Sequence, residues 1–382
     1  MLHAAPSDEE LLREALDLAP GASVTRISRE PLGDGSVVGF DVVEGAASVT
    51  YFLDTSGRTV PRETGLLVGE PDAPDMRVWL HPADPHLPAL APVAFAHAAE
   101  SMLARLGLTA AGAPETVVYR AGRRAVFRVP TDDGLVWVKV VPPARIGRIV
   151  RAHAAFDRAG VPVPTVRGWS DEGMVVLDSA AGTPATEATW TAAALVDQVD
   201  RLRGAIARIP LKGRARTDLR RRAAWYADRF EHEAPGYARR VRELRRRIET
   251  GWRDGRERSV HGDLHFGQLF LGDSGELSAV IDVDTAGTGA ASDDTAAFVS
   301  HALSSALLTP VPHDERVWLL AGEAFARWDA DADAGDGLRG RTVSHLLGHA
   351  LGAVQRGDEA RTGALLDAAD AVLEGRVTRP RA

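Results

Sequence analysis

The chain has 382 residues, more than one hydrophobic core usually spans, so two or three domains or lobes are expected. Apolar residues make up 45% and charged residues 26%, the balance of a soluble globular protein, and the net charge of -8 argues against nonspecific binding to nucleic acid or anionic membranes. The absence of cysteine excludes disulfides, thiolate metal sites and a cysteine nucleophile.

The first residues, MLHAAPSDEELLREAL, are acidic and amphipathic, unlike the basic start and apolar core of a signal peptide. No uninterrupted apolar run reaches the roughly 18 residues of a membrane span, and the cytoplasm is the expected location. Residues 7–18 predict a helix capped by Ser7, with Leu11, Leu12, Ala15 and Leu16 on one face. The alternating runs SVTRIS, SVVGFDVV and SVTYFLD, separated by the turn material PLGDG and EGAA, predict a small antiparallel meander. The proline-rich stretch 71–92 predicts a rigid extended crossover and a domain boundary, because proline fixes one dihedral and removes a donor. Residues 93–106 predict a helix.

A second β-rich unit follows. TVVYR, AVFRVP, the turn TDDG and LVWVKVV make a hairpin pattern, IGRIVRAHAAFDRAG predicts a helix ended by Gly160, and MVVLD is a further strand. From about residue 185 the chain reads as mainly helical, apart from two short strands in QLFLGDSGELSAVIDV around a Gly-Asp-Ser-Gly turn. Residues Arg220–Arg247 predict a long charged helix or helix pair, its arginines forming a solvated face.

The stretch HGDLHFGQLFL, His261–Leu271, packs two histidines, an aspartate and an amide into eight residues, which folding alone does not require. Phosphoryl transfer needs few parts. A carboxylate accepts the proton of the acceptor hydroxyl, an amide oxygen and a second carboxylate hold Mg²⁺, and a cation steadies the nucleotide phosphates. Asp263 and Gln268 have the D-x-x-x-x-amide spacing of such a loop. The hairpin that follows delivers Asp282 directly after Ala279, Val280 and Ile281, at the end of an apolar strand. Lys139 supplies a cation. In VWVKVV it shares a face with Trp137 and Val141 and opposes Val136, Val138 and Val140. A lysine there is costly unless paired, and only Lys139 and Lys212 are lysine among the 45 basic residues, which points to a need for a compact ammonium. The competing reading is an edge-strand lysine reaching solvent.

HGDLHFGQ followed by VIDVDTAGTGAASDD resembles the signature of aminoglycoside phosphotransferases and choline-kinase-like small-molecule kinases, and its Gln-ending form is similar to that of maltokinases. The resemblance covers roughly residues 115–300 and is specific at 261–294. It implies Asp263 as catalytic base, Gln268 and Asp282 as metal ligands, and ATP with Mg²⁺ bound between two lobes. It implies an α+β, two-lobed protein-kinase-like fold, with a β-rich N-lobe and a mainly helical C-lobe. Ahead of these stands an additional small N-terminal α/β cap domain. The divisions are 1–92, 93–180 and 181–382. The segment Met174–Gly182 falls where the hinge contacting adenine would lie, with Leu177 and Ser179 as candidate nucleotide contacts. Asp294 matches a later acidic position that ties the loop down, His261 braces the loop, and Asp284 and Asp293 could face metal or acceptor.

Two features depart from the pattern. No Asp or Glu stands between Lys139 and Asp157 to pair with the lysine, and His153 occupies part of that helix. The Gly-rich phosphate cover is replaced by YRAGRRAVFRV, where Gly122 is flanked by Arg120, Arg123 and Arg124. These guanidinium groups either bracket phosphate oxygens or form an exposed basic hairpin. His345 and His349 lack the glutamate of a zinc-protease motif and read as structural. The expected activity is phosphorylation of a small-molecule hydroxyl, on a sugar or aminoglycoside-like compound. The alternative is a nucleotide-binding pseudokinase or regulator. No nucleic-acid or membrane partner is expected.

Overall fold

The computed structural model describes residues 6–215, 218–335 and 337–379. The chain divides into two compact units, one of Met1–Val150 with Thr165–Ser179 and one of Arg151–Pro164 with Ala180–Ala382.

Unit 1 begins with α1 (Asp8–Ala15), held by a closed capping box: Ser7 Oγ accepts the Glu10 N–H at 3.2 Å, and the Glu10 carboxylate accepts the Ser7 N–H at 2.7 Å. The expected meander is β1 (Ser23–Leu32), β2 (Gly35–Glu44) and β3 (Ala47–Asp54), extended by β4 (Leu66–Glu70) and β5 (Ala73–Leu80) into an antiparallel sheet of order β1-β2-β3-β5-β4. β5 corrects the reading of 71–92 as a crossover. Pro74 lies opposite Gly69 at a bulge, beyond the last residue that β3 pairs, so no bond to β3 requires its missing N–H. Leu12 of α1 packs on Val38, Phe40, Val42, Leu53 and Val78 of this sheet.

Two short helices, α2 (Leu90–Ala94) and α3 (Ala96–Ala104), precede the second sheet of unit 1. Its strands are β6 (Glu115–Arg120), β7 (Arg124–Thr131), β8 (Gly134–Val140), β9 (Val166–Ser170) and β10 (Met174–Asp178), in the order β6-β7-β8-β10-β9. The alternation in β8 sorts as its sequence requires. Val136, Val138 and Val140 join Leu90, Val93, Leu103 and Phe127 in one core, while Val141, next along, joins Ile146, Ile149 and Val175 in another. Helix α4 (Pro143–Arg158) follows β8, and the division between the units falls within it.

Unit 2 contains β11 (Thr183–Pro184), α5 (Ala192–Ile206), α6 (Leu219–Glu233), α7 (Pro235–Gly251), β12 (Glu257–Val260), β13 (Leu269–Leu271), β14 (Leu277–Val280), β15 (Gly287–Ala290), α8 (Ala291–Ala306), α9 (Asp314–Asp329), α10 (Leu338–Val354) and α11 (Glu359–Leu373). The charged run 220–247 is the helix pair α6–α7, with Pro235 starting the second helix. Its arginines meet acids: Arg242 bonds Glu231, Arg246 bonds Glu243, and Arg240 and Arg247 bond Asp370. Helix α8 is buried along its length, and its Phe298 meets Trp328 of α9 edge-on at 5.4 Å. Burying each such side chain contributes roughly 1.5–3 kcal/mol. No helix among the described residues is long and apolar enough to cross a membrane.

Candidate active site

Two strand pairs bring separate parts of unit 2 together. β12 pairs antiparallel with β15, ending at Val260 opposite Gly287, and β13 pairs with β14, starting at Leu269 opposite Val280. The loops 261–268 and 281–286 therefore both leave from paired strands and must lie side by side. The Ile281 N–H donates to the Gln268 carbonyl at 3.0 Å, which places Asp282 one residue from the contact with Gln268. Asp282 adopts a left-handed conformation, φ 63, which a short polar side chain tolerates better than most.

The loop is fixed from several sides. Asp294, 2% exposed in the first turn of α8, accepts the His261 N–H at 2.9 Å with one oxygen and the Gly262 N–H at 2.7 Å with the other. Thr285 Oγ1 donates to the His261 carbonyl at 2.8 Å. His261, fully buried, donates from Nε2 to the Ile281 carbonyl at 3.0 Å, which ties the two loops together. Gly262 has φ +85, and a Cβ there would stand 2.8 Å from the Thr285 carbonyl oxygen, so the turn requires glycine. Gln268 is buried, and its Oε1 accepts the His265 N–H at 3.1 Å. These bonds leave Asp263 at the turn with 45% of its side chain exposed.

Four imidazoles cluster on one side of that carboxylate, with His301 nearest. His301 of α8 places Nε2 3.7 Å from Asp263 Oδ1. Its ring stacks on His265 at 4.3 Å and 19°, meets His349 edge-on at 4.7 Å and 86°, and lies 6.5 Å from His345. Burial opposes ionisation of the Asp263 carboxyl. The neighbouring His301 ring outweighs that and holds the carboxyl well below its usual range. Burial pushes His265 down to about 3, with repulsion from His301 adding to it. Burial likewise pushes His345 down to about 3 and His349 well below the usual imidazole value. These rings stay neutral at ordinary pH.

The candidate nucleotide contacts singled out in the sequence lie in unit 1. Lys139 is 7% exposed and sits on β8 between β7 and β10, opposite Val126 and Val175, which rules out the edge-strand reading. Ser179 Oγ accepts the Trp137 Nε1–H at 3.1 Å and donates to the Leu135 carbonyl at 2.9 Å, and Leu177 pairs with Trp137 in the β8–β10 register. The β6–β7 turn is held by the first sheet. The Glu30 carboxylate accepts from Arg120 Nε at 2.9 Å and Nη2 at 2.7 Å, and lies 3.8 Å from Arg123. Asp84 accepts the Gly122 N–H at 2.7 Å and the Tyr119 hydroxyl at 3.0 Å, and Ala121 packs with Val37, Phe52 and Trp79. Arg124 is partly buried beside this turn.

A profile of the phosphotransferase enzyme family matches residues 115–330, which contain both loops, Lys139 and Asp294. The chain belongs to the phosphotransferase enzyme family. A solved structure of a thermostable mutant of aminoglycoside phosphotransferase APH(4)-Ia in its apo form is 18% identical, with a TM-score of 0.52 over 72% of this chain and 98% of that one. Another structure of a thermostable mutant, a ternary complex with ADP and hygromycin B, is 15% identical, with a TM-score of 0.51 over 73% and 99%. A macrolide 2'-phosphotransferase type I is 19% identical, with a TM-score of 0.45 over 70% and 94%. No curated protein sequence matches the chain. At these identities the likeness of the first two is one of fold, and it establishes the α+β kinase-like architecture for this phosphotransferase family member.

Within that family frame some candidates change character. Asp293 bonds the buried Arg341 Nε at 2.9 Å and the Ala290 N–H at 2.9 Å, so it braces the start of α8. His345 and His349 are partly buried, and both rings lie beside His301. His301 itself was not legible as a site residue. Its one signal is spacing: it follows Asp294 by seven residues, two helical turns, inside the apolar run AAFVSHALSS. Among the described residues no group of three or more His, Asp or Glu is arranged to hold a metal ion.

Proposed function

We propose that the chain transfers the γ-phosphoryl group of ATP to a hydroxyl of a small molecule, with Mg²⁺. The observation that supports this best is the joining of two loops, 261–268 and 281–286, by the Ile281–Gln268 and His261–Ile281 bonds, with Asp263 left exposed at the turn. Asp263 orients the acceptor hydroxyl and takes its proton. A carboxylate held ionised is suited to accepting the hydrogen bond of that hydroxyl, and most of the acceleration comes from positioning and charge.

Gln268 and Asp282 would hold Mg²⁺. The donor set, one amide oxygen and one carboxylate, fits a hard cation that needs only one or two protein carboxylates besides phosphate oxygens and water. When bound, that ion neutralises charge on the transferring phosphoryl group. Lys139 steadies the α- and β-phosphates, and Leu177 and Ser179 contact the base. Arg124 faces phosphate oxygens, whereas Arg120 and Arg123, both beside Glu30, would first have to exchange it for them. The loop's resemblance to those of aminoglycoside phosphotransferases and, in its Gln-ending form, of maltokinases supports a sugar or aminoglycoside-like acceptor. Location in the cytoplasm, where ATP is supplied, completes this reading, and the first sheet, 1–92, is proposed to act as a cap on the nucleotide-binding lobe of residues 93–180, ahead of the catalytic lobe 181–382.

The test is an ADP-release assay with ATP and Mg²⁺ over a panel of sugars and aminoglycosides, for wild type and Asp263→Asn. Acceptor-dependent ADP release lost in Asp263→Asn supports the kinase. Nucleotide binding without turnover on any acceptor would establish the regulator instead.

A further inference from the structure

We infer that His301 is a positioning residue for Asp263, holding Oδ1 so that Oδ2 is the oxygen presented to the acceptor hydroxyl. The inference rests on the proposed role of Asp263. Its evidence is the way α8 meets the loop at two points. Asp294, in the first turn, fixes the backbone of His261 and Gly262. Seven residues later, about 10 Å along the axis, His301 reaches the carboxylate of the next residue in that loop. One helix thus sets both the path of the backbone and the rotation of the side chain it carries.

The His301 ring has little freedom to turn away. His265 stacks on one face and His349 meets it edge-on. The groups facing it are Asp263 and His265 from the loop and His345 and His349 from α10, with Arg222 of α6 and Arg361 of α11 further out behind the α10 rings. Arg361 is turned toward Ser304 at 3.0 Å. Asp263 carries the carboxylate beside His301 Nε2, while Asp282 acts more weakly and on the His265 ring. The present separation of 3.7 Å exceeds a hydrogen bond. Contacts of this kind tighten when the acceptor is bound, and a movement below 1 Å closes the gap. An apolar residue of similar size, with no N–H to offer, would leave the carboxylate free to rotate, with the base misplaced relative to its proton.

Two measurements on the full-length chain test this. First, ¹⁵N NMR of histidine-labelled protein follows the His301 ring in wild type and Asp263→Asn. A changed His301 resonance is expected, and an unchanged one overturns the inference even if no acceptor is ever phosphorylated. Second, Mg·ATP turnover, with water and with maltose as acceptor probes, is measured for His301→Leu, His301→Gln, Asp263→Asn and the double variant. The expected result is a 10- to 100-fold lower kcat in His301→Leu, typical of a misplaced group, with unchanged KM for ATP, partial recovery in His301→Gln, and no further loss when His301→Leu is added to Asp263→Asn. Additive losses, or an equal loss in both His301 variants that tracks a lowered melting temperature, would show that the ring only packs. Absence of any turnover in wild type would count against the kinase reading and leave the NMR result to decide the contact.

Discussion

Replacing Asp294 by alanine removes the acceptor of two buried backbone donors, the His261 and Gly262 N–H groups, bonded at 2.9 and 2.7 Å. Each orphaned donor costs about 1–3 kcal/mol, offset in part because a buried carboxylate no longer needs desolvating. A net loss of about 3 kcal/mol in the local stability of the loop follows. Asp294→Asn keeps one acceptor oxygen and turns an amide N–H toward the other donor, so it should lose roughly half as much. Hydrogen exchange of peptides covering 259–266 reads this directly, since 3 kcal/mol corresponds to roughly 100-fold faster opening. Phosphoryl transfer should fall in the same order, Ala below Asn below wild type. Exchange in Asp294→Ala within twofold of wild type, or Asn more damaging than Ala, would refute the claim that this carboxylate holds the loop.

Gly262→Ala should be strained by about 1–3 kcal/mol, because φ +85 and the 2.8 Å approach to Thr285 O leave no room for Cβ; a melting temperature equal to wild type would contradict this. Lys139→Met should raise the KM for ATP, and Lys139→Arg should not restore it, because the buried position in β8 was built around an ammonium; full activity in the arginine variant would remove the case for a point charge. Stability should fall as the pH drops below 6.5. The His345 ring takes a proton at 6.5 when unfolded but only near 3 when folded, so between those values the unfolded chain binds more protons. By pH 5 this amounts to about 2 kcal/mol, and urea unfolding of His345→Leu should show that part of the slope gone, whereas an unaltered slope would mean the ring is not held neutral.

The placement of the two loops was legible because it is local. Asp263, Gln268 and Asp282 sit at spacings set by one loop and one tight hairpin, so order along the chain nearly determines order in space. The N-cap at Ser7 and the alternation around Lys139 were legible for the same reason. What stayed hidden depends on long-range pairing. β5 was masked by prolines that occupy positions where no bond to β3 is needed. The engagement of the β6–β7 turn by Glu30 and Asp84 joins residues 90 and 38 positions apart. His301 looked like one polar residue in a buried helix, because its neighbours His265, His345 and His349 come from another loop and another helix.

The central claim is that Asp263 receives the acceptor's proton while Gln268 and Asp282 hold the metal beside it. The most direct measurement is ³¹P NMR of ATP and Mg²⁺ with a responsive acceptor, for wild type, Asp263→Asn, Gln268→Ala and Asp282→Ala. The account predicts a phosphate ester in wild type, none on the same timescale with Asp263→Asn despite intact nucleotide binding, and weakened dependence on Mg²⁺ in the other two. Ester formation by Asp263→Asn at the wild-type rate would contradict it.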